Sequence, residues 1–225
     1  MMQHLAIIMD GNRRWAKARF LPAIFGHKAG YDNLKKISKL ADKKGIKYFT
    51  VWGLSTENVV KRDEEEIQGI IKLVNHSIKL LPELQADNVR INFIGDLKKL
   101  PQDSQDILKV MISETQKNTG LVFTVALVYG GQNEIIRATQ KIIEEGRDPS
   151  TLSENEFRKY LDTSYLPPPD VIVRTGWDIR HSGFLLYDSA YSEYYFTEKK
   201  WPDFDEEELD AVIDSFEKSK RNFWK

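Results

Sequence analysis

Five short stretches of the 225-residue chain are continuously apolar, β-branched or aromatic: Leu5 to Met9, Tyr48 to Leu54, Val89 to Ile94, Leu121 to Tyr129 and Val171 to Val173. Their length and composition predict strands. Several are apolar at consecutive rather than alternate residues, which suits strands covered on both faces, as in a parallel sheet. Tyr194 to Phe196 forms a shorter sixth candidate.

Between these runs the apolar spacing changes to a helical one. Leu34, Ile37, Leu40 and Ala41 form a stripe that Gly45 stops, and Ile67, Ile70, Ile71, Val74, Ile78 and Leu81 form a longer one. Pro101 opens a helix that Gly120 ends, and Asn133 to Glu145 runs into Gly146. Ser153 with Glu156 has the spacing of a capping box. A last helix starts near Asp205 and carries Leu209, Val212, Ile213 and Phe216. The acidic runs Asp63 to Glu66 and Asp205 to Glu208 sit where helix N-termini favour negative charge. Alternating strands and helices predict an α/β fold with a parallel sheet. There is no internal repeat, and Pro167-Pro168-Pro169 is too short a linker to divide domains, so residues 1–225 are expected to form a single domain.

Composition narrows the function. Hydrophobic residues make up 41%, enough for a sizeable core, and 33 basic against 34 acidic side chains give a net charge of −1. No stretch of Lys and Arg is dense enough to track a polyanion, so nucleic acid is not the expected partner. The absence of cysteine excludes disulfides and a cysteine nucleophile and fits a reducing compartment. No apolar run reaches the roughly 20 residues of a membrane span, and the first strand leaves no room for a signal peptide, so a cytoplasmic location is expected.

Polar residues collect after each strand: Asp10-Gly11-Asn12, Ser55-Thr56-Glu57-Asn58, Gly95-Asp96, Gly130-Gly131 and Arg174-Thr175-Gly176. In a parallel sheet these ends share one edge, where ligands of open α/β sheets bind. Turn chemistry alone can account for some of them. The first loop holds more charge than a turn requires. Asp10, Arg13 and Arg14 stand at a strand-to-helix junction, where N–H groups and guanidinium groups bind phosphate and a carboxylate can hold Mg²⁺ against it. A surface turn with ion pairs is the plainer alternative. A second cationic cluster, RTGWDIRHS over Arg174 to Ser182, makes a second anion site by the same argument; His181 could face it or the surface. Neither G-x-G-x-x-G nor the P-loop pattern occurs. Two phosphate sites suggest two phosphorylated substrates or one long one, and the aliphatic helix after Ile67 could wall an apolar tunnel.

The segments MDGNRRWAK, FGHKAG, LSTEN, VYGG, and RTGWDIRHSGFLLYDSAYSEYYF followed by KKWPDF together resemble the cis-prenyltransferases, from about His4 to Phe204 and in matching order. The resemblance implies a mostly parallel six-stranded sheet flanked by helices, with an apolar tunnel opening at the C-terminal strand ends, and a homodimer. It implies condensation of isopentenyl diphosphate with an allylic prenyl diphosphate (farnesyl or geranylgeranyl type), with Mg²⁺. Asp10 matches the family's essential aspartate, a metal ligand that assists departure of the diphosphate, and Glu193 matches a second carboxylate near the metal. Gly11, Asn12, Arg13 and Arg14 match the diphosphate cradle, and Trp15 and His27 match substrate-contacting positions. Ser55, Thr56 and Glu57 match the next substrate loop, with Asn58 at the position regarded as proton acceptor. Arg174, Arg180 and Ser182 match the isopentenyl diphosphate site. Membrane contact is expected only at the periphery, through a lipid product.

Several positions depart from the family pattern. Ala23 stands where an arginine often touches the allylic diphosphate, with Arg19 as a conceivable substitute. Val59 replaces an aromatic, Lys61 replaces an arginine with Arg62 beside it, Trp177 replaces a glycine, Asp178 a glutamate, and Arg13 takes a position often filled by glycine. A non-catalytic partner subunit of the same fold, or a member with a short product, is therefore the alternative. The absence of D-D-x-x-D argues against trans-type prenyl synthases, and an unrelated phosphate sensor would leave the ordered motifs unexplained.

Overall fold

The computed structural model describes residues 1–61 and 63–219. Six strands, β1 (His4–Ile8), β2 (Tyr48–Trp52), β3 (Arg90–Ile94), β4 (Val122–Ala126), β5 (Val171–Arg174) and β6 (Glu193–Phe196), form one sheet in the order β3-β4-β2-β1-β5-β6. Every pairing is parallel, where the family resemblance implied a mostly parallel sheet. The helices are α1 (Asn12–Lys17), α2 (Ala23–Lys43), α3 (Thr56–Lys61), α4 (Glu64–His76), α5 (Leu81–Ala86), α6 (Gln102–Thr115), α7 (Gly131–Glu144), α8 (Glu154–Arg158) and α9 (Glu206–Lys218).

The apolar runs locate the strands but overrun their ends. Leu121 to Tyr129 reads as one strand, yet β4 stops at Ala126 and Val128 turns to a φ of 47°. The run stays apolar because the turn is still inside: Tyr129 is fully buried, and its N–H donates to Leu54 O at 3.0 Å. The stripe from Ile67 to Leu81 also divides, into α4, a 3₁₀ turn over Ser77–Leu80, and α5. Ser77 Oγ donates to Val74 O at 2.6 Å, a local side-chain bond that competes with the helical ladder, and Pro82 then starts α5. Ser153 and Asp205 cap α8 and α9, accepting from Glu156 N at 3.2 Å and Glu208 N at 3.0 Å.

Because successive side chains of a strand point to opposite faces, the sheet has two cores. Leu5, Ile7, Phe49, Val51, Ile91 and Phe123 lie on one face against Ile37 and Ala41 of α2 and Leu209, Val212 and Phe216 of α9. Ala6, Ile8, Ile172 and Ala126 face the other way, against Phe184, Leu185 and Tyr129. Tyr195 packs against the first core, whereas Tyr191 and Tyr194 are exposed.

Two buried ionisable groups brace this frame. His4 Nδ1 is 2.7 Å from Pro167 O and its Nε2 is 2.8 Å from Thr50 Oγ1; burial pushes its pKa down to about 4. Glu134, near the start of α7, accepts from Tyr129 OH at 2.6 Å and from Thr163 N at 3.3 Å, and burial pushes its carboxyl up to about 7.

β1 lies between β2 and β5, so the chain leaves β1 toward one side of the sheet and later reaches β5 on the other. Ligands of doubly wound sheets settle at such a reversal. The loops after β1 and β5 meet there.

Candidate active site

The loop after β1 is held from two directions. Asp10 O accepts from Trp201 N at 2.9 Å and from Thr175 Oγ1 at 2.7 Å, so the KKWPDF segment and the turn after β5 both fix its backbone. The α2 helix supplies a third constraint. A Cβ on Gly26 would lie 2.1 Å from Asn12 O, and one on Gly30 would lie 2.4 Å from Asn12 Oδ1, so only glycines let α2 approach this closely. Trp201 donates its indole N–H to Gly30 O at 2.8 Å, and Asn33 donates to Trp201 O at 2.7 Å. FGHKAG and KKWPDF thus clamp the first loop between them.

That clamp presents Asp10 to a ring of arginines. Asp10 Oδ1 accepts from Gly11 N at 2.6 Å and lies 3.0 Å from Arg14 Nη2, while Oδ2 lies 3.0 Å from Arg174 Nη2. Burial works against ionisation, but the hydrogen bonds and charges of Arg174 and Arg14 outweigh it and hold the carboxyl below the usual carboxylate range. Arg174 is buried, and its Nη1 donates at 2.7 Å both to Ser182 Oγ and to Arg180 O. Its Nε is a buried donor lacking a partner among the described residues. Asp178 lies 3.4 Å from Arg14, 3.5 Å from Arg174 and 2.8 Å from Arg180, and so gathers the cations of both predicted anion sites into one. In the sequence Asp178 stands out only as a departure from the family pattern, and its position between Arg174 and Arg180 is the signal for this role. His181 stacks obliquely on Tyr194, with ring centroids 6.0 to 6.1 Å apart along Phe196–Tyr194–His181.

A second group forms beside the first. His27 Nε2 is 2.8 Å from Glu66 Oε1, and Arg13 Nε is 3.7 Å from Glu66 Oε2, joining α1, α2 and α4. Glu66 belongs to an acidic run expected to serve only the start of a helix, and its partner lies 39 residues away. Ser55 caps α3, accepting from Asn58 N at 3.0 Å, and Thr56 N donates to Tyr129 O at 3.1 Å. Thr56, Glu57 and Asn58 follow on α3 along the same sheet edge. The backbone of Lys61 ends α3; its side chain, and Arg62 entirely, lie outside the described residues.

Two expected residues are drawn elsewhere. The Trp15 indole donates to Asp203 Oδ1 at 2.7 Å and is covered by Arg19, whose Cζ is 4.0 Å from the ring centroid. Arg19 also reaches Asp203 at 3.4 Å, so it is engaged on this outer side and not at Asp10 in place of the residue missing at Ala23. Glu193, matched to a second metal carboxylate, opens β6 opposite Val171, the first residue of β5. This is the edge away from Asp10, and Ser219 Oγ bonds its carboxylate. Within one chain Glu193 therefore does not join Asp10. Among the described residues no three His, Cys, Asp or Glu side chains gather into a metal-binding group.

A cavity of about 460 Å³ starts beside this site. Asn12, His27 and Gly53 line it near the C-terminal strand ends, and Val89, Leu121 and Leu84 line it at the opposite edge. It thus follows the sheet face for the length of β3 and β4, about 16 Å. Gly53 and Leu121, Ile70 and Val74 of α4, and Ser77 of the 3₁₀ turn after it are among its walls, as anticipated for that aliphatic stretch. Asn12 Oδ1 is a buried acceptor without a partner among the described residues.

The sequence and the fold have counterparts among known proteins. An isoprenyl transferase of Lactococcus lactis subsp. lactis is 42% identical over 226 residues, covering 98% of this chain and 92% of the relative. One from Streptococcus thermophilus is 44% identical over 229 residues, covering 98% and 92%. Among solved structures, lavandulyl diphosphate synthase from Lavandula x intermedia, in complex with dimethylallyl diphosphate, superposes with a TM-score of 0.93 at 32% identity, covering 98% of this chain and 97% of that one. A probable undecaprenyl diphosphate synthase from Campylobacter jejuni gives 0.83 at 29% identity, covering 100% and 99%. With residues 8–224 matching the family model described as putative undecaprenyl diphosphate synthase, the chain belongs to that family of prenyl-transferring enzymes.

Proposed function

We propose that the protein condenses isopentenyl diphosphate with an allylic prenyl diphosphate in cis geometry, releasing diphosphate, in a Mg²⁺-dependent reaction. The observation that carries this reading is the joining of Asp10, Arg14, Arg174, Arg180 and Ser182 into one polar group beside an apolar cavity of about 460 Å³. Diphosphate head groups match the cations, and an isoprenoid tail matches the cavity walls.

In the reaction the allylic C–O bond breaks, the double bond of isopentenyl diphosphate attacks the allylic carbon, and a proton leaves the new unit. Negative charge grows on the departing oxygens, so donors already aimed there lower the barrier. Arg14, the N–H groups at the start of α1 and the uncommitted Nε of Arg174 supply such donors. Arg174, Arg180 and Ser182 hold the isopentenyl diphosphate, and Asn58 is the assigned proton acceptor. Apolar walls keep water from the allylic cation.

The residues present fit Mg²⁺. That ion commonly uses one or two protein carboxylates together with substrate phosphates. Asp10 is ionised and part-exposed, and Asp178 reaches the same Arg14 and Arg174 guanidinium groups. Asp10, with Asp178 beside it, would hold the ion, which when bound neutralises charge on the leaving diphosphate.

A homodimer, a cytoplasmic setting and a Z-polyprenyl diphosphate product belong to the same proposal. A short product is the second reading, favoured by the 0.93 superposition on lavandulyl diphosphate synthase. Incubation with labelled isopentenyl diphosphate, a panel of allylic primers and Mg²⁺, followed by mass spectrometry of the extract, tests both. Absence of product with every primer rejects the enzyme reading, and the mass of a product decides its length.

A further inference from the structure

The turn between α1 and α2 exposes what a folded chain ordinarily hides. Phe20 is 99% exposed and holds a φ of 58°, a left-handed conformation rare for a bulky residue. Leu21, Ile24 and Phe25 follow at helical spacing and are exposed too. Nothing in the packing of the turn requires an aromatic at its tip, and strain at an exposed position points to function.

Charge supplies a second, independent observation. From residue 11 to residue 31 the chain carries Arg13, Arg14, Lys17, Arg19 and Lys28 and not one Asp or Glu, within a protein of net charge −1. Lys17 and Lys28 are exposed, and Lys28 lies one helical turn from Ile24 and Phe25. Arg13, Arg14 and Arg19 face carboxylates of Glu66, of Asp10 and Asp178, and of Asp203, so the exposed rim is Lys17 and Lys28. Aromatic and aliphatic side chains rimmed by lysine are the chemistry of a peripheral lipid-binding surface, and a cationic rim favours anionic head groups.

We propose that the Phe20–Phe25 segment seats the protein on an anionic lipid bilayer. Phe20, Leu21 and Phe25 enter the interface, while Lys17 and Lys28 meet the head groups. The segment adjoins the cavity: His27, on the same helix α2, lines its mouth, and Ile24 lies against Gly69, next to the lining residue Ile70. A protein docked by the turn would present that mouth to the membrane, where apolar molecules partition. The inference concerns binding alone and stands whether or not the proposed reaction does.

Vesicle flotation tests it, using phosphatidylglycerol vesicles and neutral phosphatidylcholine vesicles with saturating inorganic diphosphate present to fill the arginine cradle. The expected result is flotation with the anionic vesicles, weakening as salt rises, and a loss of roughly tenfold or more in affinity in Phe20→Asn/Phe25→Ser. Phe20→Asn alone should raise the thermal midpoint, because asparagine tolerates a left-handed φ, so its weaker flotation could not be ascribed to unfolding. No flotation at low salt overturns the proposal, as does equal flotation with neutral vesicles, undiminished binding by the double variant, or abolition of binding by diphosphate. Self-association lost in the variant, without vesicle binding, would make the patch a subunit contact and overturn it equally.

Discussion

Arg174 Nη2 lies 3.0 Å from Asp10 Oδ2, linking the carboxylate after β1 to a buried guanidinium at the end of β5. The two halves of the polar site are therefore one electrostatic unit. Asp10→Asn retains an acceptor for the Gly11 N–H but removes the negative charge that faces two arginines. Turnover should fall by at least about a hundredfold while the protein stays folded, as read by steady-state kinetics and thermal denaturation. Near-normal kcat would remove Asp10 from the chemistry.

Trp177 holds a φ of 79° at a position where the family resemblance leads one to expect glycine, and the residue is 61% exposed. Little packing is lost on removing it, while the left-handed strain disappears. Trp177→Gly should stabilise the protein by about 1 kcal/mol, seen as a higher denaturation midpoint.

Glu66 joins His27 to Arg13 across three helices. Glu66→Ala should loosen the allylic side of the site, raising KM for the primer several-fold with a smaller effect on KM for isopentenyl diphosphate. Equal changes for both substrates would show that the two groups are not separate subsites.

Leu84, Val89 and Leu121 line the far end of the cavity. Leu84→Trp should shorten the product, read as a shift in the mass distribution with the rate of the first condensation preserved. An unchanged distribution would place the growing chain elsewhere.

His4 and Glu134 set opposing pH dependences. His4, lowered to about 4, is less protonated in the fold than in the unfolded chain between pH 4 and 6.5, so its contribution of roughly 3 kcal/mol is lost as pH falls through that window. Glu134, raised to about 7, is more protonated in the fold between pH 4.5 and 7, so its contribution of similar size is lost as pH rises. The slopes offset one another in the wild type. Glu134→Gln should unmask the His4 slope, giving stability that increases from pH 4.5 to 6.5 in urea titrations.

The sheet was legible because strands buried on two faces write themselves as unbroken apolar runs, and the cradle was legible because Asp10, Arg13 and Arg14 are adjacent. What was hidden depends on distant partners. Asp203 holds the Trp15 indole across 188 residues, and nothing near Trp15 announces this. Glu66 looked like helix-start charge because its reason for being acidic is His27, on another helix. The 3₁₀ turn at Ser77–Leu80 was lost because the apolar stripe continues through it.

Helix α2 presses its two glycines onto Asn12 and, further along, forms one side of the cavity through Leu34. Bore and cradle accordingly share a single rigid partition. Anyone widening the channel by shifting α2 would detune the anchoring of the head groups at the same stroke, whereas a side-chain change at Ile70 or Val74, beyond Glu66 on α4, reshapes the bore without moving that partition.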